Sequence, residues 1–326
     1  MTTSEMNPDE PVSPTRVWRM VQCPASVLPR TLNPMSVSDN RPNAGTLAHR
    51  GLELWIKQEG YKASDPRAVL SQVLKKVVAD ANSAPPEWIK IRSRFLARAT
   101  ELGQILHMSN PEMHCEEEIW DHDRLLSGVP DIVALSADTA AVIDLKSGAM
   151  VRDELTPWMV FQLTIYAHLV HLNYGQFPKR TAVFSLGRGY MPAVIDDDAV
   201  KTALVEVEIA RRADRSIARP APETCRYCPR RFDCEAHWTD YLSWPSPDCV
   251  EGRAEQIERG SNGLSGIRIS TSAGNAWVSE IPTALVNGEL GQSVRLVRLW
   301  SANSVERPNS IFKWTNNSAI AWIPQA

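Results

Sequence analysis

Asp131, Asp144 and Lys146 stand within two apolar runs, GVPDIVALSADTAAVIDLKSG over residues 128–148. A charge is buried in a strand only where something balances it. SADT (136–139) supplies turn residues between the runs and predicts a hairpin. A loop centred between Ala137 and Asp138 sets Asp131 opposite Asp144, with Cβ atoms about 5 Å apart. Asp144 and Lys146 are two residues apart and share a strand face, while Leu145 points the other way. Two carboxylates that close repel unless a cation lies between them. Lys146 is one candidate. A divalent ion is another, since Mg²⁺ takes one or two carboxylates plus water and phosphate oxygens. The set suits phosphodiester hydrolysis, with a metal polarising the phosphate and Lys146 orienting water or steadying the developing charge. A structural salt bridge inside a hairpin is the competing reading of Asp-x-Lys taken alone.

A second constellation is CRYCPRRFDC, which places Cys225, Cys228 and Cys234 at C-x₂-C-x₅-C. Three thiols so close in a chain without secretory features imply metal binding. A [4Fe–4S] cluster wants four cysteines. Zinc accepts three cysteines and a histidine, and His237 lies three residues after Cys234, so local spacing alone fits zinc better. Arg226, Arg230 and Arg231 crowd the cysteines as candidate phosphate contacts.

These residues need elements to hold them. NAGTLAHRGLELWIKQEG predicts a helix that ends by Gly60, and a mostly helical polar region continues to about residue 110. EEEIWD (116–121), the two runs above and RTAVFSL (180–186) read as strands. Thr156 as N-cap and Pro157 at the first position open a helix that closes near Gly175. A charged helix spans about 196–216. From about residue 250, GIRIS, NAWVSEIPTALV and SVRLVRLW alternate apolar and polar residues and predict a small β-rich appendage over 262–326. MTTSEMNPDEPVSPT is acidic and proline-containing, which predicts a disordered lead over 1–14 and no signal peptide.

GVPD, DLKSG and QLTIY, in this order, resemble the PD-(D/E)XK nuclease superfamily, and within it the RecB/AddB-like and CRISPR-associated iron–sulfur exonucleases. The resemblance implies an α/β fold, a central mixed β-sheet flanked by helices (restriction-endonuclease-like core). It implies that Asp131 and Asp144 bind Mg²⁺ or Mn²⁺, that the Leu145 carbonyl completes the coordination, and that Lys146 is catalytic. Gln162 and Tyr166 match the subgroup's Q-x-x-x-Y, one turn apart on a helix face, where they would contact DNA or orient the site. GTLAH resembles the subgroup's helical histidine, making His49 a further metal ligand, with Glu53 one turn on to orient it. The subgroup carries one cysteine before the core and three after it. Cys23, Cys225, Cys228 and Cys234 match, so the resemblance implies a [4Fe–4S] cluster that ties distant chain segments together. Cys115 and Cys249 fall outside this pattern, as do His107, His168 and His171.

With 326 residues, a net charge of −3 and 43% hydrophobic residues, the chain is an ordinary globular one. Nucleic-acid contact must therefore come from a local groove, not from total charge. No apolar run reaches the roughly 18 residues of a spanning helix. The expectation is a cytoplasmic protein with a nuclease domain over 15–245, no membrane contact, and DNA (single strands or ends) as its partner. Its setting is recombination, repair or DNA processing of a phage or mobile element. The alternative is a zinc-stabilised, non-catalytic DNA-binding subunit beside a helicase, integrase or recombination protein.

Overall fold

The computed structural model describes residues 10–36, 43–107, 111–137, 139–148, 153–301 and 311–324. The chain divides into two compact units, Asn7–Trp18 with Asn40–Arg211, and Arg19–Asp39 with Arg212–Ala326. A first helix, α1 (Pro14–Gln22), spans the point of division. Of the expected lead, residues 1–9 lie outside the described residues. Val12 is fully buried and its N–H donates to the Leu125 carbonyl at 2.9 Å, so order begins before residue 14.

The first unit contains α2 (Ala44–Lys57), α3 (Pro66–Asp80) and α4 (Trp88–Leu106), then β1 (Glu112–His114), β2 (Ile119–Asp121), β3 (Leu126–Gly128), β4 (Ile132–Leu135) and β5 (Ala140–Lys146). It ends with α5 (Pro157–Tyr174), β6 (Pro178–Ser185), β7 (Gly189–Ala193) and α6 (Asp197–Arg212). Its sheet runs β1-β4-β5-β6-β7. β5 and β6 are parallel and the other neighbours antiparallel. A parallel pair needs a crossover, and α5 supplies it. β5 is buried along nearly its whole length, as a strand covered on both faces must be. The α/β expectation of a mixed sheet flanked by helices is met.

The β4–β5 hairpin has the expected register, with Ile132 opposite Ile143 and Leu135 opposite Ala140. Asp138, in the turn, lies outside the described residues. α5 is apolar on almost every side and is accordingly buried from Phe161 through Ala167. The Thr156 side chain accepts from Met159 N–H at the start, and Gly175 closes the helix in the left-handed conformation at φ 73°. Asp121 fixes the small β2–β3 ribbon to α5 through a 2.7 Å hydrogen bond with His168 Nε2. A core of Leu52, Trp55, Leu70, Phe95, Leu102, Ile143 and Phe184 packs the three N-terminal helices onto the sheet.

The second unit holds α7 (Pro222–Arg226), α8 (Glu235–Asp240) and a seven-stranded sheet ordered β12-β13-β10-β9-β8-β11-β14. Its strands are β8 (Cys249–Arg259), β9 (Leu264–Thr271), β10 (Gly274–Pro282), β11 (Ser293–Val297), β12 (Trp300–Ser301), β13 (Ile311–Lys313) and β14 (Ala319–Trp322). The sheet thus begins at Cys249, before residue 262. Cys23 and the cysteine trio belong to this unit and not to the one built on β1–β7.

Candidate active site

His49, Glu116 and Asp131 bring their ligand atoms within 4.8 Å of one another. α2 carries His49 at the edge of a buried face formed by Ala48, Leu52, Trp55 and Ile56. Asn43 caps the helix by accepting from Gly45 N–H at 2.7 Å. Asp131 precedes β4 and is 6% exposed. One of its oxygens accepts from Leu145 N–H at 2.5 Å; the other lies 2.9 Å from His49 Nδ1. Glu116 Oε1 approaches the same nitrogen at 3.0 Å.

Nothing in EEE marks Glu116 above Glu117 or Glu118. Its distinction is conformational: φ is 53°, in the left-handed region, and its N–H donates to the Pro130 carbonyl at 3.2 Å. Such a backbone costs on the order of 1 kcal/mol and recurs at functional positions. It also explains why the strand expected over 116–121 forms only over Ile119–Asp121. Glu53 does not take the orienting role expected of it. It pairs with Arg50 at 2.5 Å and Lys57 at 2.8 Å, and Glu116 and Asp131 hold His49 instead.

Burial disfavours a charged His49, but the hydrogen bonds to Asp131 and Glu116 outweigh it and push the imidazole up to about 10. A proton on His49 therefore holds the carboxylates together, in the place a divalent cation suits. Two carboxylates and an imidazole form a plausible donor set for such an ion. With His49 raised well above the ordinary imidazole range, metal binding at this nitrogen competes with that proton. At pH 8 uptake of a divalent ion is expected to release about one proton, and affinity to weaken about tenfold per unit of falling pH. Calorimetry in two buffers of different ionisation enthalpy measures this. Release of no proton would show that His49 is not displaced.

Asp144 lies beside this trio and not within it. Its carboxylate is 4% exposed, and the Lys146 ammonium stands 2.6 Å from Oδ2. Burial and the neighbouring Asp131 push it up to about 6, against the pull of Lys146 and His49. Asp144 Oδ2 is thus already engaged by the Lys146 ammonium.

Gln162 and Tyr166 extend the site inward. Lys146 Nζ donates to Gln162 Oε1 at 3.1 Å, Gln162 Nε2 to Tyr166 Oη at 3.2 Å, and Tyr166 Oη to the Val129 carbonyl at 3.1 Å. Both side chains are buried behind Lys146, a place that suits orienting the lysine better than contacting DNA. Gly128 makes room for the ring: a Cβ there would lie 2.8 Å from Tyr166 Cε1. His49, Glu116 and Lys146 keep 32%, 30% and 27% of their side chains exposed, so a substrate can reach the site.

Cys23, Cys225, Cys228 and Cys234 line one small cavity in the second unit. Chain segments nearly 200 residues apart meet around it. Arg219 N–H donates to Cys23 Sγ at 3.3 Å, Ala25 N–H to the Ile217 carbonyl at 3.1 Å, and Leu32 N–H to Asp233 at 2.9 Å. His237 is fully buried beside them, and its Nε2 accepts from Arg231 Nε at 2.9 Å. Arg231, read from the sequence as a phosphate contact, is only 2% exposed and pairs with Asp248. A side chain so enclosed cannot grip a nucleic acid. Arg230 is half-buried, and Arg226 is exposed above the Tyr227 ring. Burial pushes the Cys115 and Cys249 thiols up to about 12, as inert core thiols behave.

Among solved structures, SSO0001 is 14% identical over 72% of this chain and 90% of its own, with a TM-score of 0.32. Tetrameric p202 HIN2 is 20% identical, with a TM-score of 0.21; the match covers 26% of this chain and only 47% of the other. A murine DNA binding protein bound with double-stranded DNA is 13% identical over 60% of this chain and 84% of its own, with a TM-score of 0.22. Likenesses this weak bear on neither fold nor function. No curated protein matches the chain. No helix among the described residues is long and apolar enough to cross a membrane. The family model of the PD-(D/E)XK nucleases matches residues 11–235, which takes in the Pro130–Asp131 and Asp144–Lys146 motifs. On that match, which spans more than half of its length, the chain belongs to the PD-(D/E)XK nuclease superfamily.

Proposed function

We propose that the chain is a divalent-metal-dependent deoxyribonuclease that degrades DNA from its ends, of the RecB/AddB-like iron–sulfur kind. The observation that carries this is the convergence of His49, Glu116 and Asp131 beside the Asp144–Lys146 pair. His49, Glu116, Asp131, Asp144 and the Leu145 carbonyl hold Mg²⁺ or Mn²⁺, with the imidazole favouring Mn²⁺. An ion held there would polarise the scissile phosphate and lower the pKa of a water. Lys146 faces the developing negative charge, and Gln162 keeps its ammonium from swinging into solvent. The exposed edges of His49 and Glu116 admit the strand. Arg226 is the remaining surface candidate for a phosphate contact.

The four cysteines hold a [4Fe–4S] cluster. Tetrahedral zinc at about 2.3 Å from each sulfur needs donors about 4 Å apart. Among the described residues no three cysteine or histidine donors at this cavity come within 4.8 Å of one another, as tetrahedral zinc would need. This reading places the protein in recombination, repair or processing of DNA, in the company of a helicase or recombination protein.

The test is one assay: linear and covalently closed DNA, each end labelled in turn, with and without Mn²⁺ or Mg²⁺. Metal-dependent loss of end label with circles left intact is the expected result. Circles cut as fast as linear DNA would replace end-directed cleavage with internal cleavage. Binding without cleavage in either metal would leave a non-catalytic DNA-binding subunit.

A further inference from the structure

The cysteine cavity has a second set of lining groups, and they are all hydrogen-bond donors. Ser26, Arg230, Arg231 and His237 border it. Each keeps one buried polar atom without a hydrogen-bond partner among the described residues: Ser26 Oγ, Arg230 Nε, Arg231 Nη1 and His237 Nδ1. Ser26 is 3% exposed, Arg231 2% and His237 fully buried, so bulk solvent does not reach them.

The tautomer of His237 follows from its neighbour. A guanidinium only donates. Arg231 Nε points at His237 Nε2 from 2.9 Å, so Nε2 carries a lone pair and the ring proton sits on Nδ1. That N–H is the unpartnered atom. Each buried donor left unmade costs about 1–3 kcal/mol. Four on residues that border one cavity suit an occupant that accepts hydrogen bonds. The cysteine sulfurs and the inorganic sulfides of an iron–sulfur cluster are such acceptors, and the assembly is anionic. Arg231 adds a buried positive charge, only partly balanced by Asp248, whose side chain is 23% exposed.

Resting on the iron–sulfur reading, we propose that Ser26, Arg230, Arg231 and His237 form the donor shell of the cluster held by Cys23, Cys225, Cys228 and Cys234, and that this shell raises its reduction potential. Reduction adds one electron to an already anionic centre. Donors and a guanidinium next to the sulfurs stabilise the reduced form more than the oxidised one, so their removal shifts the potential downward.

The test uses the full chain purified without oxygen. Midpoint potentials are measured by dye-mediated titration followed through the electron paramagnetic resonance signal of the reduced cluster, with iron and sulfide analysis on each sample. Arg231→Met is expected to lower the reduced-to-oxidised ratio at a fixed potential at least about tenfold, about 59 mV for a one-electron couple. Ser26→Ala, which removes one hydroxyl and no packing of consequence, is expected to shift it the same way by less. It keeps the test open if Arg231→Met does not hold its cluster. Full cluster content with unchanged potential in Ser26→Ala and in whichever other variant retains the cluster would overturn the donor shell while leaving the cluster in place. A colourless wild-type protein that carries zinc, or no metal, would overturn the iron–sulfur reading itself.

Discussion

Lys146→Ala is expected to slow DNA cleavage about 10²–10³-fold in single-turnover assays, the loss typical when one group facing a transition-state charge is removed. DNA affinity should change little, because the ammonium is already balanced by Asp144 at 2.6 Å and adds little net attraction for phosphate. A second effect separates this role from a merely structural one. Asp144 already sits near 6 because it is buried and faces Asp131, with Lys146 pulling the other way. Without the ammonium the neutral acid gains further, so Asp144 ionises only at higher pH. The residual activity of Lys146→Ala should therefore climb through a more alkaline range than that of the wild type. Gln162→Ala should reproduce a milder rate loss without the alkaline shift, since it frees the lysine but leaves its charge. A wild-type rate and pH profile in Lys146→Ala would remove the lysine from the chemistry.

The hairpin that sets up this pair was legible because strands alternate strictly. Turn residues at SADT fixed a register, and the register placed Asp131 against Asp144; the strands pair in that register from Ile132 opposite Ile143 to Leu135 opposite Ala140. The Gln162–Tyr166 spacing was legible for the same reason, a helical repeat, although periodicity could not say that the pair faces Lys146 and not solvent. Glu116 was hidden. Its place depends on a left-handed residue and a hydrogen bond to Pro130, neither of which leaves a mark on a run of three glutamates. Arg231 misled in the opposite sense. Arginine is so seldom buried that a cluster of three reads as surface, yet Asp248 and His237, both beyond the end of the run, give this one polar partners inside. The grouping of Cys23 and the cysteine trio with the β-rich sheet was also out of reach, because it rests on backbone hydrogen bonds between segments nearly 200 residues apart.

That separation governs what Cys23→Ser should do. On the proposed iron–sulfur reading the four cysteines join a segment near residue 23 to one near residue 225, and a link across about 200 residues removes much of the unfolded chain's freedom, worth about 3–5 kcal/mol in a chain-entropy account. For a unit of this size that corresponds to a fall in Tm on the order of 10 °C. Loss of one ligand would also strip the proposed cluster, so visible absorbance should fall with it. Cys115→Ser alters a buried thiol in the helix-and-sheet core, which belongs to the other compact unit, and should keep its absorbance. Below the lowered Tm, Cys23→Ser should still cleave DNA with metal, because His49, Glu116, Asp131 and Lys146 all belong to the other compact unit. Thermal melts followed at 280 nm and near 400 nm, with cleavage rates taken at 20 °C, measure all three. An unchanged Tm with the absorbance lost would mean that the backbone bonds from Arg219 to Cys23 and from Leu32 to Asp233 hold the segments together unaided. Loss of cleavage in a variant that stays folded would tie the cysteine site to the chemistry itself.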